Sequence, residues 1–69
     1  MKVKRNFIYK GRFACELEDG RFMLSDGTME MLLCEKAGDG YRVLESGIVG
    51  GIMMRTMEDF LWCVKNYSK

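Results

Sequence analysis

Glycine alone punctuates this chain. Gly11, Gly20, Gly27, Gly38, Gly40, Gly47, Gly50 and Gly51 divide 69 residues into short segments, and there is no proline. Glycine adopts the left-handed backbone that tight turns require, so the spacing describes short strands joined by turns. The expected fold class is α+β: a small antiparallel β-meander of three to five strands packed against one C-terminal helix. A short second helix at 29–37 is the alternative for the middle of the chain. Residues 1–69 make a single domain.

Val3–Leu17 carries the clearest strand signal. Val3, Phe7, Tyr9, Phe13, Cys15 and Leu17 occupy odd positions, while Lys2, Lys4, Asn6, Lys10, Arg12, Glu16 and Glu18 occupy even ones. Such alternation belongs to strands with one buried face. Gly11 interrupts the run. A two-residue turn at Lys10-Gly11 opposes Ile8 to Phe13 and mixes the faces. A three-residue loop, Tyr9-Lys10-Gly11, keeps Phe7 opposite Phe13 and Val3 opposite Leu17 and is the expected form, with a single long strand bent at Gly11 as the competing reading. At Asp19-Gly20 a two-residue turn is expected, pairing Glu18 with Arg21, Leu17 with Phe22 and Cys15 with Leu24.

Met29–Ala37 admits two readings. A turn at Asp26-Gly27 makes it a strand, with Leu24 opposite Met29 and Phe22 opposite Met31. Thr28 is also a good N-cap, Gly38 a good stop, and the segment lacks β-branched residues. Turn parity favours the strand. Tyr41–Glu45 reads as a further strand, and Gly47–Gly51 as a connection leading to a short strand at Ile52–Met54. The last element is a helix capped by Thr56, with Asp59 three residues on and Lys65 near its end. Met57, Phe60, Leu61 and Val64 form its apolar stripe, expected to cover Phe7, Phe13, Phe22 and Leu24.

Composition narrows the function classes. Cys15, Cys34 and Cys63 are odd in number and show no Cys-x-x-Cys spacing, which argues for a reducing, cytoplasmic setting over a disulfide framework. No histidine is present, so the commonest general base and zinc ligand is missing. No metal or cofactor is expected. The longest uncharged stretch, Ser46–Met54, is too short to cross a bilayer, and the N-terminal lysines are not followed by a signal-type apolar run. The three cysteines read as buried thiols. Glu16/Glu18 and Glu58/Asp59 read as solvated or capping carboxylates. Gly47-Ile48-Val49-Gly50-Gly51 lacks the lysine and hydroxyl residue of a phosphate loop. The chain is therefore expected not to be an enzyme.

Two binding functions remain. Seven methionines together with Trp62 and Tyr67 exceed what a small core needs. Methionine and aromatic residues are enriched at contact surfaces, so Trp62, Met53, Met54 and Tyr67 are the candidate protein-binding residues. That reading describes a small adaptor or inhibitor of a larger complex, of the kind phages and mobile elements encode, with homodimerisation as one outcome. The alternative is nucleic-acid binding. Lys2, Lys4, Lys10 and Arg12 fall on one face of the first strand segment. Phe7, Tyr9 and Phe13, which would stack bases, are expected on the other face.

Overall fold

The computed structural model describes residues 1–67. Five strands, β1 (Val3–Tyr9), β2 (Arg12–Leu17), β3 (Phe22–Asp26), β4 (Glu30–Ala37) and β5 (Gly40–Ile48), form one antiparallel sheet in chain order. The single helix, α1 (Met57–Lys65), follows a connection of irregular backbone. This is the α+β meander with a C-terminal helix that the glycine spacing describes.

The registers differ from expectation, and each difference has a local cause. Tyr9 pairs with Arg12 and Ile8 with Phe13, so the first hairpin turns on two residues. Lys10 and Gly11 both have positive φ, 48° and 78°. That is the mirror-image turn whose twist matches the flanking strands. Phe7 consequently lies opposite Ala14, and a bulge between Val3 and Arg5 restores the expected Val3–Leu17 pair.

The second hairpin turns on three residues. Cys15 pairs with Met23 and Ala14 with Leu24. The Leu17 N–H donates to the Arg21 carbonyl at 2.8 Å, and the Gly20 N–H to the Leu17 carbonyl at 3.0 Å. Gly20 takes the left-handed position, with φ 93°. Asp19 holds Arg21: its carboxylate accepts the Arg21 backbone N–H at 2.9 Å and guanidinium bonds at 2.8 and 2.9 Å. Arg21 therefore answers Asp19 within the loop rather than Glu18 across it.

Residues 29–37 contain the strand β4 and no helix. Asp26 pairs with Glu30 across a three-residue loop, placing Leu24 opposite Leu32 and Phe22 opposite Cys34. The adjacent Leu32 and Leu33 that blurred the period have a simple origin. The sheet buries apolar residues on both faces, and a strand buried on both faces loses its alternation. Phe22, Met23, Leu24 and Ser25 of β3 are all buried for the same reason.

One face carries the helix. Cys15, Leu17, Met23, Met31 and Leu33 pack there with Phe60, Cys63, Val64, Met54 and Tyr67. Thr56 caps α1: its hydroxyl accepts the Asp59 N–H at 3.1 Å, while the Asp59 carboxylate accepts the Arg55 N–H at 3.1 Å. Of the four residues expected beneath the helix only Phe13 is there, its ring centroid 6.1 Å from that of Phe60. Phe7, Phe22 and Leu24 sit on the opposite face with Ala14, Cys34, Tyr9, Leu32 and Tyr41. The shift in both hairpin registers is what exchanged them, because a one-residue slip moves a side chain to the other face.

Twist brings the sheet corners together. Tyr9 ends β1 and Tyr41 begins β5, the two edge strands, yet their rings lie 4.7 Å apart. Val3 and Val49, at the other two corners, pack instead on the helix side. Opposite diagonals of a coiled sheet bend toward opposite faces, and here each pair of corners closes one cluster. Residues 52–55 form no strand; the Met54 N–H donates to the Thr28 carbonyl at 2.6 Å, and its side chain enters the core.

Candidate functional site

The four residues proposed from sequence for protein contact divide into two pairs. Trp62 is 45% exposed and Met53 42% exposed. Met54 and Tyr67 are buried in the helix-side core, because the connection before α1 and the turn after it fold back over the sheet. The Tyr67 hydroxyl donates to Glu45 of β5 at 2.7 Å. Burial first, and then that carboxylate, push the phenol up to about 12. Tyr67 thus ties the end of the helix region to the edge strand, with its side chain in the core.

Trp62 projects from α1 toward the connection. Its ring lies beside Gly50, where a Cβ would stand at ordinary contact distance, 3.5 Å from two ring carbons; the positive φ of Gly50, 63°, is what favours glycine there. Ile52, Glu58, Asp59 and Trp62 line a shallow open depression beside it. The sequence did not single out β5. This nine-residue edge strand exposes Val43, Leu44 and Ile48, with a bulge between its pairs to Leu33 and Cys34. The adjacent Val43 and Leu44 were a legible signal, since an apolar pair on an outer strand cannot bury both members on one face.

The basic residues are not assembled as expected. Lys4 reaches Glu16 at 3.9 Å and Arg12 reaches Asp26 at 2.9 Å. Lys10 stands in the first turn, and among the described residues Lys2 and Lys10 form no ion pair. The two-residue turn and the bulge at Lys4 rearrange the strand faces. Arg5, Phe7, Tyr9 and Arg12 now share the face away from the helix, as their pairing with Glu16, Ala14 and one another requires. Arg5 lies 4.6 Å from the Phe7 ring, Lys10 5.5 Å from Tyr9, and Lys36 4.9 Å from Tyr41. Aromatic and basic residues, separated in the sequence reading, are neighbours in the fold.

The cysteines behave as core residues. Burial pushes the Cys15 thiol up to about 11 and raises Cys34 and Cys63 as well. A raised thiol is a poor nucleophile at neutral pH, since the thiolate is the reactive form. Among the described residues no three cysteine, aspartate or glutamate side chains converge as a metal site, and no helix is long and apolar enough to cross a membrane. Compared with protein-family models, curated proteins and solved structures, the chain matches none of them.

Proposed function

We propose that this protein is a small non-catalytic protein-binding module, an adaptor or inhibitor, whose contact surface runs along the β5 edge to Trp62. One observation carries this reading. Of the seven large hydrophobic residues exposed among the described ones, five, Val43, Leu44, Ile48, Met53 and Trp62, belong to β5, the following connection and α1. Isolated exposed apolar residues are ordinary, whereas their concentration in one stretch of the chain supports a contact region there.

The edges of the sheet support it further. β1 bears Lys4 and Arg5, with Lys2 before it and Lys10 after it, and lysine on an edge discourages pairing with another strand. β5 has Arg42 as its only cation, drawn to Glu35 of β4. Its outer backbone groups are available to an added strand. Tryptophan is a frequent anchor at interfaces, and Trp62 lies beside Gly50 while 45% exposed.

The test compares four immobilised proteins in pull-downs: wild type, Trp62→Ala, Leu44→Lys and the control Ile8→Lys on β1. A protein retained by wild type and Ile8→Lys, and lost from the other two, supports the surface. Equal capture by all four overturns it. Light scattering separates a foreign partner from a second copy of this chain on the same edge.

A further inference from the structure

We propose that the sheet face turned away from α1 binds single-stranded nucleic acid, stacking bases on Phe7, Tyr9 and Tyr41 and holding phosphates with Arg5, Lys10, Arg12 and Lys36. The site does not involve Trp62 or the outward backbone of β5, although Tyr41 belongs to that strand, and it does not rest on the protein-binding reading.

The first observation is the row of rings. Phe7 lies 6.3 Å from Phe22, Phe22 4.8 Å from Tyr41, and Tyr41 4.7 Å from Tyr9, centroid to centroid. Phe22 is the buried member, and the other three are half-buried at the surface. They reach this arrangement from three strands, because the corners of the coiled sheet bring rings of β1 and β5 beside Phe22 at the start of β3.

The second observation is charge placed ring by ring. Each surface ring has a cation beside it: Arg5 at Phe7, where its Nε also donates to Glu16 at 2.8 Å, and Lys10 at Tyr9 and Lys36 at Tyr41, neither of them ion-paired among the described residues. A nucleotide offers a flat base and a phosphate, the two chemistries these pairs complement. Lys4, Arg5, Lys10, Arg12 and Lys36 lie on or at the rim of this face, against Glu16, Asp26 and Glu30. The acids Glu35, Glu45, Glu58 and Asp59 stand on the helix side or β5's opposite face, away from it. With Asp39 in the turn beside Tyr41 counted, five cations stand against four acids, so the face carries a small positive excess.

Single strands are the occupant that fits. A gently coiled sheet presents rings without a protruding helix or arm to enter a duplex groove, and a duplex hides the base faces that rings would stack. In this site a base displaces the cation from its ring, and the cation turns to the adjoining phosphate.

Fluorescence anisotropy with labelled oligo(dT) and oligo(U) of about 12 nucleotides, and with a duplex of equal length, tests the proposal. Both single strands should bind, with affinity falling about tenfold or more between about 50 and 200 mM salt. Tighter binding of oligo(U) assigns the site to RNA, and equal binding to either sugar. Tyr9→Leu and Tyr41→Leu should each weaken binding about tenfold, with Tyr9→Phe restoring it. The exposed double variant Lys10→Glu/Lys36→Glu, which leaves the core untouched, should reduce the salt slope by about 1.4 if each lysine holds one phosphate. No anisotropy change at low salt overturns the proposal. So does a duplex bound as tightly as single strands, or a double variant that binds like wild type.

Discussion

The two faces of the sheet are made by the same five strands, but one is covered by a helix and the other by its own side chains. On the helix side, Cys15, Met23, Met31, Phe60 and Val64 are wholly enclosed. On the other side, Ala14 and Cys34 are just as inaccessible, although they are packed only among the sheet's own side chains, Phe7, Tyr9, Phe22, Leu24, Leu32 and Tyr41 in their apolar cluster. The difference teaches how a chain this small builds two cores. An added element closes one face, and twist closes the other by drawing its corners inward. The self-covered face must leave its outermost rings partly in water, where cations from its rim lie over them. A face made this way is both structural and available for binding.

Truncation should expose the asymmetry most strongly. Phe60→Ala removes a ring with no exposure at all, and should cost ~3–5 kcal/mol in urea unfolding. Phe22→Ala, beneath partly exposed rings that can collapse onto the gap, should cost less, ~2–3 kcal/mol. Equal losses would mean that the self-covered face is as tightly packed as the helix side.

Alkaline pH separates the faces in another way. Cys15 and Tyr67 lie on the helix side, with thiol and phenol pushed up from 9.0 to about 11 and from 10.0 to about 12. Both raised groups favour the folded state while neutral. Their contribution is complete below pH 9 and is lost as pH rises, from 9 to 11 for Cys15 and from 10 to 12 for Tyr67. Cys34 and Tyr41 on the other face are raised too, chiefly by burial. Denaturant midpoints measured up to pH 12 should fall more gradually in Cys15→Ala than in wild type. A similar flattening only in Cys34→Ala would place the sensitive group on the wrong face.

Smaller effects belong to the boundaries. Thr56→Ala removes the cap of α1 and should cost ~1 kcal/mol, loosening the helix-covered face alone. Lys10→Asn, at a non-glycine residue with φ 48°, should stabilise the first hairpin by up to ~1 kcal/mol, seen as a higher midpoint. Arg12→Gln breaks an exposed pair with Asp26, and should change stability by no more than ~0.5 kcal/mol.

Much of the fold was legible because local signals agreed. Thr56, Asp59 and the spacing of Phe60 and Val64 all point to one helix, and that helix forms with its cap. Gly11 and Gly20 mark turns, and both take positive φ. What local signals left open was loop length. Parity chose three residues for the first hairpin and two for the second, on the premise that the sheet has one apolar face. With two apolar faces that premise fails, and Phe7 and Phe13 belong to different clusters. The candidate surfaces suffered from the same premise. Trp62 and Met53 are exposed because they fall off the helix stripe or precede it, whereas the burial of Tyr67 depends on a partner, Glu45, that is distant in sequence.

The sequence by itself determined the α+β class, the turns at Gly11 and Gly20 and the capped C-terminal helix, since glycine positions, capping residues and helical spacing act within a few residues of themselves. Only the tertiary structure decided which face each strand residue meets. A single bulge or an extra loop residue reverses that choice for everything beyond it, at little local cost. Tertiary twist likewise joined Tyr9 to Tyr41 across the whole sheet, a contact between edge strands that no local pattern encodes.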